Sequence, residues 1–171
     1  MLAEAILHSR PGPNAVFRLI LQTAFRDELQ FILLDTDASV TRVQERALCA
    51  SDLVLLPSAA DFPSADGRAA SLHMLASLQQ KGWRGSLFGI LPTFCEENSR
   101  ENQAVLEDLQ QRFPSSLLSP IHRSPFLREC ASQRKTIFEF DPLCRVAKEY
   151  LALTRRLLLT GESDVQTTPS H

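Results

Sequence analysis

Four short apolar runs limit how this chain can fold. FILLD (31–35), LVLLP (53–57), SLFGILP (86–92) and SLLSPI (116–121) lack the alternation of a half-exposed strand. Runs of this kind are strands covered on both faces. Helical patterns separate them. NAVFRLILQTAFRDEL (14–29) places Val16, Leu19, Ile20, Phe25 and Leu29 close to helical spacing, and residues 40–50 predict a shorter helix or turn. SADGRAASLHMLASLQQKG (64–82) has Ser64 as its expected N-cap and stops at Gly82. Asn98 or Ser99 caps a helix running to Phe113, ahead of Pro114. A last helix is expected from Asp141-Pro142, with proline at its first position, to about Leu159. Alternating strand and helix predicts an α/β fold, a mostly parallel sheet flanked by helices with right-handed crossovers. Such sheets hold ligands at the carboxyl ends of their strands, where Asp35, Pro57 and Pro92-Thr93 fall.

The chain has 171 residues, enough for one sizeable core, here read as a single domain over 1–160. The polar stretch 161–171, GESDVQTTPSH, has no periodicity and is read as a disordered tail. No apolar run approaches the ~18 residues of a membrane span, and MLAEAILHSRPGP does not read as a secretory signal. A cytoplasmic location is therefore expected. Cys49, Cys95, Cys130 and Cys144 show no C-x-x-C spacing, which fits scattered thiols better than a metal or disulfide site. His8, His73, His122 and His171 are equally dispersed and read as surface or packing residues. The net charge of −2 hides an asymmetry. Residues 121–160 carry eight basic and four acidic side chains, a net +4, on an otherwise acidic chain. That is the footprint of an anionic partner, or equally of solvated helix faces.

From spacing alone, Asp35 fits two roles. It could hold Mg²⁺ through water at a strand end, or it could be an ordinary turn or cap carboxylate. The wider pattern adds to this. DTDASVTRVQERALCASDLVLLPSAADFPSADG (35–67) resembles the ParA/MinD family of partition and cell-division ATPases, ParA branch. There a strand ends in Asp-Thr-Pro-Pro-Ser; a helix closing on Asn-Ala-Leu, then Ala-Asp, an apolar strand and proline follow. Asp35, Thr36, Ser39, Ala47-Leu48, Asp52 and Asp61-Phe62 with Gly67 keep those places. Downstream, IHRSPFLRECASQRKTIFEFDP (121–142) aligns without a gap to the family's Ile-Pro-Arg, short helix, Gly-Lys-Pro-Ile turn and Tyr-Asp-Pro. Ile121, Arg123, Leu127, Glu129, Ser132, Lys135, Ile137, Asp141 and Pro142 match, and Phe140 replaces the usual Tyr. The resemblance covers roughly residues 15–160.

The resemblance implies a P-loop NTPase-like fold, truncated at the N-terminus, with ATP and Mg²⁺ as ligands of the family. Asp35, followed by Thr36, would be the Walker B aspartate that orients water on Mg²⁺. Pro92, Thr93 and Arg123 would lie where the family holds adenine. Arg123, Arg128, Arg134 and Lys135 would be the contacts for non-specific DNA, with Phe126 standing where many relatives have arginine. The implied partners are a ParB-like protein and a second copy or full-length relative, in the cytoplasm or on the nucleoid, in chromosome or plasmid partition.

Two departures weigh against ATP hydrolysis by this chain. The sequence holds only Lys81, Lys135 and Lys148, none after a glycine, so it lacks the Gly-Lys-Thr/Ser loop whose N–H groups and lysines cradle phosphates. Asp37 and Ala38 replace two family prolines, and the Asp37 charge lies beside Asp35. At ~6 Å and an effective dielectric constant of 20, two like charges cost about 3 kcal/mol. The expectation is a chain inactive alone, binding ATP and Mg²⁺ or neither. Its alternatives are a non-catalytic ParA-like protein modulating a full-length partner, and another deviant-Walker ATPase, a MinD or cellulose-synthesis relative. The MinD branch ends in an amphipathic membrane helix, which TGESDVQTTPSH does not resemble.

Overall fold

The computed structural model describes residues 29, 31–36 and 42–165. The described helices are α1 (Arg42–Ala50), α2 (Ser64–Gln80), α3 (Arg100–Arg112), α4 (Pro125–Ser132), α5 (Ile137–Phe140) and α6 (Arg145–Val165). Strands β1 (Leu53–Ala59) and β2 (Ser86–Thr93) form a parallel pair joined through α2, the expected crossover unit. The expected α/β fold with a parallel sheet is therefore present. The expected helix over 14–29 lies outside the described residues except for Leu29, which is exposed and in no helix.

The chain divides into two compact units, residues 1–54 with 66–88 and residues 55–65 with 89–171. In the first, Leu75, Leu78 and Trp83 form a buried cluster against Leu48, Cys49, Val54, Met74 and Leu87. The indole N–H of Trp83 donates to the Ser51 carbonyl at 3.0 Å, so its one polar atom is satisfied. The ring lies so close to Gly85 that a side chain there would collide with it. The second unit buries Ile90, Leu91, Val105, Leu109, Leu118, Ile121, Val146 and Ala147.

FILLD departs from expectation. Residues 31–36 are not a strand; Phe31, Ile32 and Leu33 are exposed, Leu33 to 88%. An apolar strand becomes buried only when neighbours bond both its edges, and among the described residues none pairs with it. SLLSPI is only partly regular. It runs parallel to β2 through isolated bridges, Ile90 with Leu117 and Cys95 with His122. The cause lies between the bridges. Pro92 has no N–H for the Leu118 carbonyl, and Pro120 has none for Pro92. Ile121 N–H bonds the Pro92 carbonyl instead, at 2.9 Å, one residue later than the ladder would place it, and the bridges on either side keep the same register.

Helix ends differ in detail. Ser64 is the first residue of α2, not its cap; the Asp61 carboxylate accepts from Ser64 N–H at 3.0 Å. Ser99 caps α3 as expected, accepting from Asn102 N–H, and the helix stops at Phe113. The last helix begins at Arg145, later than Asp141-Pro142, because Asp141 Oδ1 takes the N–H groups of Leu143 and Cys144 at 3.1 Å and holds 141–144 as a turn. It continues past Leu159 to Val165, into the segment read as tail; 166–171 lie outside the described residues.

Gly89 marks the tightest approach in the second unit. A Cβ there would stand 2.6–2.9 Å from the side chain of Leu118, which is buried. Gly89→Ala is expected to cost roughly 1–3 kcal/mol by overpacking. Chemical denaturation of Gly89→Ala, Leu118→Ala and the double variant checks this: the two costs should fall short of additive, since Leu118→Ala removes the collision.

Candidate functional site

The carboxyl end of β2 and the bridge at His122 bring polar side chains together. Beyond buried Pro92 and half-buried Thr93, Phe94 has φ 54° and an exposed ring. A left-handed conformation in a bulky residue costs on the order of 1–3 kcal/mol and is held by its surroundings. Those surroundings are visible. Cys95 N–H bonds the Ile121 carbonyl and Arg123 N–H bonds the Cys95 carbonyl. Glu96 N–H donates to Asn102 Oδ1 at 2.6 Å, and Asn102 Nδ2 donates to the Ala60 carbonyl at 2.6 Å. Asn102 on α3 thus ties the loop after β2 to the loop after β1.

Arg123 extends over this loop. Its Nε meets Glu96 Oε1 at 2.8 Å, and its guanidinium lies 5.9 Å from the centre of the Phe94 ring. Both partners of the ion pair are more than half exposed, so it contributes only about 0–1 kcal/mol. Its value is in position: a planar cation and an aromatic face stand side by side.

Glu149 on α6 organises the adjoining cluster. Its Oε2 accepts the His122 backbone N–H at 2.8 Å, and its Oε1 accepts from His122 Nδ1 at 2.7 Å and Arg145 Nε at 2.8 Å. Arg145 also pairs with Glu97, and its Nη2 stands 2.9 Å from His122 Nε2. A guanidinium only donates, so Nε2 accepts and the proton sits on Nδ1. Burial pushes the Glu149 carboxyl up, but the His122 backbone N–H, Arg145 and the His122 ring outweigh it and hold the group below its ordinary range. Burial, followed by the Glu149 charge, pushes the Cys95 thiol up to about 11, so it is no nucleophile near neutral pH.

The expected site residues fall into separate groups. Asp35 and Thr36 are exposed and belong to the first unit; Pro92, Thr93 and Arg123 belong to the second. Arg128, Arg134 and Lys135 are exposed on α4 and the turn after it. That turn explains one family feature. Arg134 has φ 54°, with Arg134 N–H on the Ala131 carbonyl and Lys135 N–H on the Cys130 carbonyl, a Schellman end in which glycine is usual. RKTI (134–137) aligns there with Gly-Lys-Pro-Ile, so Arg134 stands in the glycine position. Reading the sequence passed over Phe94, Glu97, Asn102, His122 and Glu149. Only Arg145 and Glu149, four apart on one helix, carried a local signal.

Could the residues present hold ATP and Mg²⁺? The base end fits: Phe94 offers an exposed ring beside a guanidinium at the carboxyl edge of a parallel sheet. Among the described residues, no three His, Cys, Asp or Glu side chains stand together as a metal-holding group.

Structural comparison defines the fold, an α/β fold shared with two solved ATPase-family structures. Apo McdA of Cyanothece superposes with a TM-score of 0.75 at 17% identity, over 85% of this chain and 60% of that one. The cell division ATPase MinD of Pyrococcus furiosus gives 0.66 at 17%, over 86% and 59%. Within that fold the sequence is similar to ParA-family proteins. A ParA family protein of Chlamydia pneumoniae is 26% identical over 135 residues, 78% of this chain and 52% of the relative. The chromosome partitioning protein ParA of Myxococcus xanthus is 28% identical over 134 residues, 77% and 47%. The chain spans about half the length of the curated relatives it matches. No family model matches it. Among the described residues no helix is long and apolar enough to cross a membrane.

The Glu149 cluster sets a pH dependence. A carboxyl held low in the folded state adds stability above the ordinary glutamate range, and that stability is lost as pH falls through it. Glu149→Gln should lose about 1–3 kcal/mol at neutral pH. Urea unfolding from pH 7 downward should show the two proteins converging in acid, the wild type falling more steeply.

Proposed function

We propose that this chain is a ParA-like partition protein that uses the carboxyl end of β2 as the base end of a nucleotide site. Similarity to ParA-family proteins over 77–82% of the chain carries the reading. The Phe94–Arg123 pair supports it, since a planar cation beside an aromatic face suits a purine ring. Pro92, Thr93 and Arg123 surround the base. Asp35, with Thr36 after it, acts on Mg²⁺ through water. The chain acts in the cytoplasm or on the nucleoid, with a ParB-like partner and a second copy or a full-length relative. Autonomous hydrolysis is not part of the proposal, and a non-catalytic role modulating that relative is its alternative.

Titration with a fluorescent ATP analogue and Mg²⁺ tests the site. Saturable binding should weaken roughly tenfold in Arg123→Ala, equivalent to ~1.4 kcal/mol, and also weaken in Asp35→Ala. No binding at millimolar nucleotide sinks the nucleotide reading.

Arg128, Arg134 and Lys135 are the proposed DNA contacts, through phosphate charge alone. Arg134→Gly separates this from a folding effect. It relieves a left-handed arginine and should raise stability by about 0.5–1 kcal/mol. In low-salt gel-shift titrations it should nevertheless bind duplex DNA more weakly, as should Arg128→Glu. Wild-type protein that ignores DNA at low salt removes this part of the proposal.

A further inference from the structure

The outer edge of the irregular third strand is open. Ser116 and Leu118 turn their backbone toward β2: Ile90 N–H donates to the Ser116 carbonyl at 2.8 Å, and Leu118 N–H donates to the Ile90 carbonyl at 2.9 Å. Successive residues of a strand alternate in direction, so Leu117 and Ser119 face away from β2. Leu117 N–H is used locally, donating to the Phe113 carbonyl. The Leu117 carbonyl and both backbone groups of Ser119 have no partner among the described residues. That is one donor flanked by two acceptors, the pattern an added strand completes.

Beside this edge runs a shallow groove between α3 and the strand, lined by Leu106, Glu107, Gln110, Leu117, Leu118 and Pro120 among others. With Ser119 included, four of the seven lining residues are apolar. Glu107 is exposed and has no ion-pair partner among the described residues, whereas the adjacent Asp108 is held by Arg112 at 2.8 Å. A lone carboxylate beside an apolar groove repels phosphate and favours a cation. Nucleic acid and anionic lipid are therefore poor occupants. Pairing of this edge with the same edge of a second copy would bring two Glu107 side chains together.

We propose that this edge and groove take an extended peptide segment of a partner protein, added as a strand along Leu117–Ser119. One apolar side chain enters the groove, and a Lys or Arg two residues away meets Glu107. Main-chain hydrogen bonds supply the affinity, and the side chains on one face of the peptide supply the selectivity. Most exposed edges are blunted by proline or charge. Here Pro120 ends the edge but leaves Ser119 available.

The test uses the full chain and a fluorescein-labelled octapeptide, Val-Thr-Lys-Thr repeated twice, which sets valine and lysine two residues apart on one face, followed by anisotropy. Saturable binding below roughly 1 mM is expected. Glu107→Lys should weaken it about tenfold and should bind the same peptide with glutamate in place of lysine, which the wild type refuses, a gain that misfolding does not produce. Ser119→Pro, which removes the one open donor, should also lose about tenfold. Should Ser119→Pro not fold, N-methylated peptides replace it: methylating the threonine amides, or the valine and lysine amides, should abolish binding for one set and spare the other. The proposal is overturned by no saturation at millimolar peptide, by affinity indifferent to the charge at 107, or by equal effects of the two methylated sets. Sedimentation showing dimers that Glu107→Lys leaves intact and Ser119→Pro abolishes would assign the edge to a second copy instead, and would also overturn it.

Discussion

Strand β2 is bonded along both edges, and the rest of the second unit takes its register from that. On one side it pairs with β1; on the other it meets residues 116–123. Gly89 lets Leu118 lie close against the strand. Three residues on, Pro92 opposite Pro120 breaks the ladder. The bridge from Cys95 to His122 re-forms it in the same register as Ile90 with Leu117, each strand having taken up one residue in between. That second bridge sets His122 against Glu149 and Arg145, and Arg123 beside Phe94. The polar cluster at the carboxyl end therefore follows from where two prolines fall.

β1 gives a similar lesson about edges. The Asp52 carbonyl and the Ala60 N–H both bond toward β2. By alternation Leu53, Leu55 and Pro57 face the other way, so Pro57 spends its missing N–H on an edge that no described strand covers.

Local chemistry was legible in the sequence wherever one residue type settles the matter. Ser99 and Phe113-Pro114 bounded α3 correctly, and LVLLP and SLFGILP were read as the strands they are. Errors arose where two local options competed. Asp61 took the cap assigned to Ser64, and Asp141 held a turn where Pro142 suggested a helix start. Non-local features were not legible. The broken ladder needs Pro92 and Pro120 to be opposite each other, and the His122–Glu149 contact spans 27 residues. FILLD shows the limit of pattern reading, since its burial depends on neighbours that no described strand supplies. The ParA resemblance, carried by spaced identities rather than by periodicity, reached the family to which the comparisons also point.

The central claim is that the carboxyl end of β2 receives a purine ring. Photolabelling with an azido-adenine nucleotide, followed by mass-spectrometric mapping, tests it directly. The account expects saturable labelling on residues 93–97 or 121–123, suppressed by excess ATP. Labelling that ATP does not suppress, or that maps elsewhere on the chain, would contradict it.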